Sequence, residues 1–279
     1  MNGFFVADGV VWHPSKVRAM PIASPKCTPA IKAYSSYACI RLNFGGKNRP
    51  LNQAEIKKSF AVPTYITETM RMLSRFSPFL ATRMALYLFF KPLPFPIPGR
   101  EKELRERSIT HRLLTKSGAP FTVFETGTGE EIVLMIHGWS GRGSQFFKLA
   151  QKLQNDYRLL LIEAPGHGAH LGKRTHMLAF VEAIEATEQA LGKAKFAVGH
   201  SLGGMALFNS LEQGSSFQKL VIAGTPANVR NVTNDFCLKV AANERVAEGL
   251  LSHIQKRFAV LPEAVSTDFL APKNTIPWV

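Results

Sequence analysis

The nine residues Phe196-Ala197-Val198-Gly199-His200-Ser201-Leu202-Gly203-Gly204 constrain this chain more than any other stretch. An apolar run meets a glycine, a serine and a glycine pair, and the pattern then becomes helical. The segment reads as a buried strand that turns sharply into a helix. Such a turn lifts a hydroxyl clear of a sheet, within reach of a base and a carbonyl. Gly199 and Gly203 are expected where a Cβ would strike neighbouring strand and helix backbones.

Two earlier apolar runs end in the same way. Ile132–Ile136 leads into His137-Gly138-Trp139-Ser140-Gly141, and Arg158–Ile162 leads to Pro165-Gly166-His167-Gly168. Helical patterns separate the runs: about Ser144–Asn155, about Met177–Leu191, and from Ser201 to about Leu211. Leu220–Ala223 reads as the next strand. Upstream, Ser108–Leu114 and Phe121–Glu125 read as a hairpin closed by Lys116-Ser117-Gly118. Strands alternating with helices predict an α/β fold, a mostly parallel sheet flanked by helices. After Pro226 the alternation stops. Residues 227–272 read as a helical cap insertion, with two helices in Asn234–Val260 and a third in Pro262–Leu270. Asn274–Val279 opens another strand. The sheet domain is expected to span 107–279.

The net charge of +14 is uneven. Residues 1–118 hold 19 Lys/Arg and 6 Asp/Glu, whereas residues 119–279 hold 15 and 14. Residues 1–69 form a basic extension of weak periodicity. Residues 70–106 form an amphipathic lead-in, with one helix at about Ser74–Phe90 expected to pack on the core; the alternative is a membrane surface. Arg83, Lys91 and several prolines interrupt the apolar stretch Pro78–Pro98, which argues against a spanning helix. The basic block predicts weak association with an anionic membrane surface. Its Lys and Arg are not interleaved with stacking aromatics, so no specific nucleic-acid partner is expected. Cys27, Cys39 and Cys237 show neither metal-ligand spacing nor a disulfide framework. Met1–Val11 lacks a basic lead-in to an apolar signal core. A reducing, cytoplasmic setting follows as the expectation.

A lone G-x-S-x-G pattern arises by chance about 0.1 times in a chain of this length, so it decides little. Three glycine-rich turns in order, each after a buried strand, decide more. On these motifs, residues 107–279 resemble the α/β-hydrolase superfamily. The resemblance implies that Ser201 is the nucleophile and that the backbone N–H groups of Trp139 and Leu202 form the oxyanion hole. His137, Gly138 and His200 become candidate substrate-binding residues. His137 and His167 read as loop-ordering residues rather than bases. His200 is a poor base for Ser201, because adjacent strand residues point to opposite faces. Glu163 stands where relatives often have aspartate. The loop Pro165–Gly168 would shape the site. Ser140-Gly141-Arg142-Gly143 reads either as an anion nest or as a lead-in to a helix. The resemblance implies a small-molecule acyl substrate, an ester or related acyl bond, and no metal or organic cofactor. The cap, with Phe236, Leu238, Leu250, Leu251 and Phe258, would set substrate choice.

In this superfamily the acid and then the histidine follow the serine in chain order. Ile276–Val279 reads as the opening of the acid-bearing strand, so the resemblance implies a C-terminally truncated member. After Ser201 the histidine is His253, in the cap, and Glu212, Asp235, Glu244, Glu248, Glu263 and Asp268 lie on the following helix or in the cap. Little triad-dependent hydrolysis is expected. The alternative is a non-catalytic fragment or pseudoenzyme. A partly open sheet edge beside Leu220–Ala223 predicts self-association.

Overall fold

A computed structural model of the chain describes residues 5–7, 10–12, 62–170 and 174–279. Most of the expected 1–69 extension lies outside the described residues. Two short strands, β1 (Phe5–Ala7) and β2 (Val10–Trp12), pair antiparallel.

The main sheet has six strands: β3 (Ile109–Leu114), β4 (Pro120–Thr126), β5 (Ile132–Ile136), β6 (Arg158–Glu163), β7 (Phe196–His200) and β8 (Lys219–Ala223). Their order is β3-β4-β6-β5-β7-β8. The β3–β4 hairpin and the β4–β6 pair are antiparallel, while β6, β5, β7 and β8 run parallel. The alternating strand–helix pattern and the hairpin therefore appear as the sequence predicts. Beyond β8, Leu220 bridges Trp278 in parallel, and Ile222 N–H donates to Val279 O at 2.7 Å.

Strand periodicity divides the core. Ile132, Leu134, Ile136, Leu160 and Ile162 face one side. There they pack on Phe180, Val181 and Ile184 of α5 (Met177–Leu191) and Leu207 and Phe208 of α6 (Leu202–Glu212). Val133, Met135, Leu159 and Leu161 face the other side, toward Phe146 and the Leu149 and Ala150 of α4 (Phe147–Leu153). Strands buried on both faces explain the unbroken apolar runs. The chain passes from β5 to β6 on one side and then crosses back to β7 on the other. That reversal is a topological switch point, and its crevice lies outside the carboxyl ends of β5 and β7.

A second apolar cluster is almost wholly helical. Its members come from α1 (Thr64–Phe76), α2 (Pro78–Phe89), α7 (Val229–Lys239) and α8 (Glu244–Phe258). Met70, Ala81 and Ala85 are fully buried against Cys237, Val246, Ala247 and Leu250. Phe89 meets Phe236 edge-on, with ring centroids 5.1 Å apart. A Cβ on Gly249 would stand 2.8 Å from Thr82 Oγ1, so α2 and α8 touch nearly backbone to side chain. The lead-in thus packs on α7 and α8 rather than on the sheet core.

The single helix expected at about Ser74–Phe90 is two helices, and the first begins at Thr64. Ser77 ends α1 and caps α2, its Oγ accepting from Leu80 N–H, and Pro78 takes the first turn of α2. Proline suits that position because its missing N–H would have no partner there. A charged helix, α3 (Gly99–Arg107), follows. The third cap segment contracts to one helical turn, α9 (Thr267–Leu270).

Candidate active site

Ser201 stands between the end of β7 and the start of α6, with φ 51° and ψ −119°. A residue with a Cβ rarely adopts this backbone, and it persists only where its surroundings hold it. The holding is visible. Ser201 N–H donates to Ala223 O at 2.8 Å. A Cβ on Gly199 would lie 2.6 Å from Gly204 Cα, and one on Gly203 would lie 2.3 Å from Ile136 O. Gly204 is equally constrained, since its Cβ would fall 2.0 Å from Thr225 Oγ1. The demand on Gly199 and Gly203 is legible in the motif itself. The demand on Gly204 comes from Thr225, whose approach only the fold reveals.

The loop after β5 closes on the same point. A Cβ on Gly138 would sit 2.7 Å from Ser201 Cβ. Gly141 N–H donates back to Gly138 O at 3.0 Å, and Ser140 takes φ 58°. Among the described residues, neither Trp139 N–H nor Leu202 N–H donates a hydrogen bond. Leu202 opens α6, so its N–H has no intrahelical acceptor. Two backbone donors at the end of a strand and the start of a helix make a site for a developing negative charge.

Two buried histidines fasten this loop. His137 Nδ1–H donates to Gly138 O at 2.7 Å, and Ala164 N–H donates to its Nε2 at 3.1 Å. His167 Nδ1–H donates to Pro165 O at 3.1 Å, and Ser140 N–H donates to its Nε2 at 3.0 Å. Each ring is held neutral, in the tautomer its partners require. Burial, with His167 nearby, pushes the His137 imidazole well below its ordinary value. Burial lowers His167 to about 4. Both nitrogens of each ring are engaged, and the rings are buried, so neither is placed to accept the serine proton. Trp139 packs edge-on against His167, with centroids 5.5 Å apart.

His200 ends β7, and its ring lies beside Gly138 and Gly224. His253 lies on α8. Ser201 Oγ has no hydrogen-bond partner among the described residues. Among these residues no group of three or more His, Cys, Asp or Glu is arranged to hold a metal.

Two ion pairs brace the loops from behind. Arg142 donates to both carboxylate oxygens of Glu101 on α3, at 2.7 and 3.1 Å, and Ser144 Oγ donates to the same carboxylate at 2.9 Å. The stretch Ser140–Gly143 is therefore a braced lead-in to a short 3-10 turn, Gly143–Phe146, rather than an anion nest. Glu163 is fully buried, and burial pushes its carboxyl up against the pull of Arg105 Nη2 at 2.9 Å. Glu101 and Arg142 lie 41 residues apart. No local pattern marks such a pairing.

Residues 131–245 match a family model described as the alpha/beta hydrolase fold. The pimeloyl-[acyl-carrier protein] methyl ester esterase of Stenotrophomonas maltophilia strain R551-3 is 33% identical over 128 residues, 46% of this chain and 48% of that protein. Its counterpart in Xylella fastidiosa strain 9a5c is 30% identical over 146 residues, 51% of this chain and 56% of that protein. The chain thus spans about half the length of the curated relatives it matches. Among solved structures, a mutant of the N-acyl homoserine lactonase AidH with bound N-hexanoyl homoserine is 19% identical, covers 57% of this chain and 73% of that one, and has a TM-score of 0.40. The sheet order, the strand–turn–helix at Ser201 and the matched family model together show that this chain has the α/β-hydrolase fold.

Proposed function

We propose that Ser201 is the nucleophile of a carboxylic ester hydrolase. The observation that carries this reading is the strained turn itself. Ser201 is held at φ 51°, with Gly138 pressed against it and two unengaged backbone donors beside it. The Oγ attacks the ester carbonyl carbon, and the Trp139 and Leu202 N–H groups receive the oxyanion. The carbon–oxygen bond to the alcohol then breaks, and the serine proton leaves with the alcohol. Water releases the acid from the acyl-enzyme. His137 shapes the oxyanion loop from below, while Gly138 and His200 line the approach to Ser201. The curated relatives are named as methyl ester esterases, which favours a small ester of an acyl chain as the substrate class. The apolar cap residues, Leu250 and Leu251 among them, suit such a chain.

A second reading has its own observation. Hydrolysis needs a base at Ser201 Oγ, and none is hydrogen-bonded there among the described residues. On that reading the chain is a poor catalyst or a non-catalytic relative. Fluorophosphonate labelling with Ser201→Ala as the control, run beside hydrolysis of p-nitrophenyl acyl esters, separates the two. Ser201-dependent labelling with turnover supports the esterase. Absence of both supports the non-catalytic reading.

A further inference from the structure

Helices α1 and α2 each carry apolar residues on two sides. One side is buried in the cap cluster through Met70, Ala81 and Ala85. On the other side of α1, Tyr65, Met72 and Phe76 recur at i, i+7 and i+11, which is one stripe of a helix. They are 73%, 54% and 78% exposed. Phe79 and Leu80, on the first turn of α2, are 68% and 50% exposed. Phe76, Phe79 and Leu80 flank the Ser77-Pro78 corner. Single exposed apolar residues need no account, but five on one helix hairpin do.

Cations stand on these same rings. The Arg75 guanidinium is 6.0 Å from the Phe76 centroid, and that of Arg83 is 5.8 Å from Phe79. Farther along α2, Lys91 and Arg174 lie 5.2 and 4.7 Å from the Tyr87 ring. Between residues 62 and 98 the basic residues are Arg71, Arg75, Arg83 and Lys91, and the one acid is Glu68. Glu68 is already paired with Arg71. An aromatic and aliphatic tip ringed by uncompensated cations is complementary to an anionic bilayer. The apolar side chains enter the headgroup layer and the guanidinium groups meet phosphates. Among the described residues no helix is long and apolar enough to cross a membrane.

We infer that the α1–α2 corner docks this protein on an anionic phospholipid surface, led by Phe76, Phe79 and Leu80, with Arg75 and Arg83 at the phosphates. The opposite sides of both helices pack on α7 and α8, so docking sets the cap beside the lipid. This inference stands apart from the reading of Ser201.

Vesicle sedimentation of the full chain tests it, with phosphatidylcholine alone and with phosphatidylcholine mixed with phosphatidylglycerol. The chain is expected to pellet with the mixed vesicles only, and to be released by salt. Phe79→Ser combined with Leu80→Ser keeps every charge and is expected to lower partitioning about tenfold or more. Arg75→Ser should lower it about fivefold. A melting curve reports whether the double variant is folded; if it is not, Phe76→Ser reads the same partitioning. Three outcomes overturn the inference. One is no binding to mixed vesicles at low salt. Another is a folded apolar variant that binds as well as the parent, which assigns the binding to the basic N-terminal residues. The third is a dimer that the apolar variant converts to monomer, which assigns the face to a second copy.

Discussion

Gly138 and Ser201 are packed so closely that a Cβ on Gly138 would stand 2.7 Å from Ser201 Cβ and 3.1 Å from the His200 carbonyl oxygen. Backbone cannot yield as a side-chain tip can. Gly138→Ala must therefore push the loop away from the serine, carrying Trp139 N–H with it. Loss of one oxyanion donor typically lowers a rate by about 100-fold or more. Gly138→Ala is expected to slow Ser201-dependent fluorophosphonate labelling by about that factor, with far-ultraviolet circular dichroism unchanged. An unaltered labelling rate would show that the close approach has no bearing on the oxyanion site.

The serine turn stores strain, and removing it should stabilise the fold. Ser201 holds φ 51° and ψ −119°, a conformation glycine takes without steric cost. Ser201→Gly is expected to raise stability by about 1 kcal/mol, which is about 2 °C or slightly more in Tm for a chain of this size. Labelling should vanish in the same variant. A lower Tm for Ser201→Gly than for Ser201→Ala would mean that the turn is relaxed.

The Glu101–Arg142 pair is expected to behave as a buried ion pair. The two side chains are 4% and 9% exposed. Arg142→Met leaves the Glu101 carboxylate buried with only the Ser144 hydroxyl donating to it among the described residues, and breaking such a pair costs about 3–5 kcal/mol. Glu101→Leu with Arg142→Met removes both charges and should recover most of that loss. Urea midpoints of the two single variants and the double variant give the coupling. Additive losses would mean that the pair contributes nothing as a pair.

The sequence made the sheet readable because the strands are buried on both faces, so Ile132–Ile136 and Leu159–Ile162 run apolar without a break. The three glycine-rich turns marked the carboxyl end of the sheet for the same local reason. What stayed hidden depends on contacts distant in sequence. The bracing of the loop after β5 by Glu101 joins residues 41 apart. The lead-in reads as amphipathic, yet only the fold shows that its partners are α7 and α8. The break at Ser77-Pro78 was legible in principle, as a capping serine followed by proline. The apolar run through it masked that signal.

His167 gives the pH dependence of stability a definite sign. Its Nε2 accepts the Ser140 N–H at 3.0 Å, and a proton placed there would face that donor. Burial accordingly lowers its pKa from 6.5 to about 4. The unfolded chain therefore takes up the proton first as pH falls. The stability that His167 provides is complete above about pH 6.5 and is lost progressively down to about pH 4. Each pH unit within that window costs about 1.4 kcal/mol. His137, whose imidazole is also depressed by burial, acts in the same direction. In His167→Gln the amide oxygen can accept from Ser140 and the amide nitrogen can donate to Pro165, but nothing titrates. Urea unfolding at pH 6.5 and pH 5 is expected to show the parent losing about 2 kcal/mol more than His167→Gln over that interval. Parallel curves would mean that His167 takes up its second proton as readily in the folded protein as in the unfolded chain, so that its Nε2 is not held as an acceptor by Ser140. The same experiment bears on the site, because the Ser140–His167 bond holds the loop that presents Trp139. If the loop loosens as His167 is protonated, Ser201 labelling in the parent should fall between pH 5 and pH 4, and in His167→Gln that step should be absent.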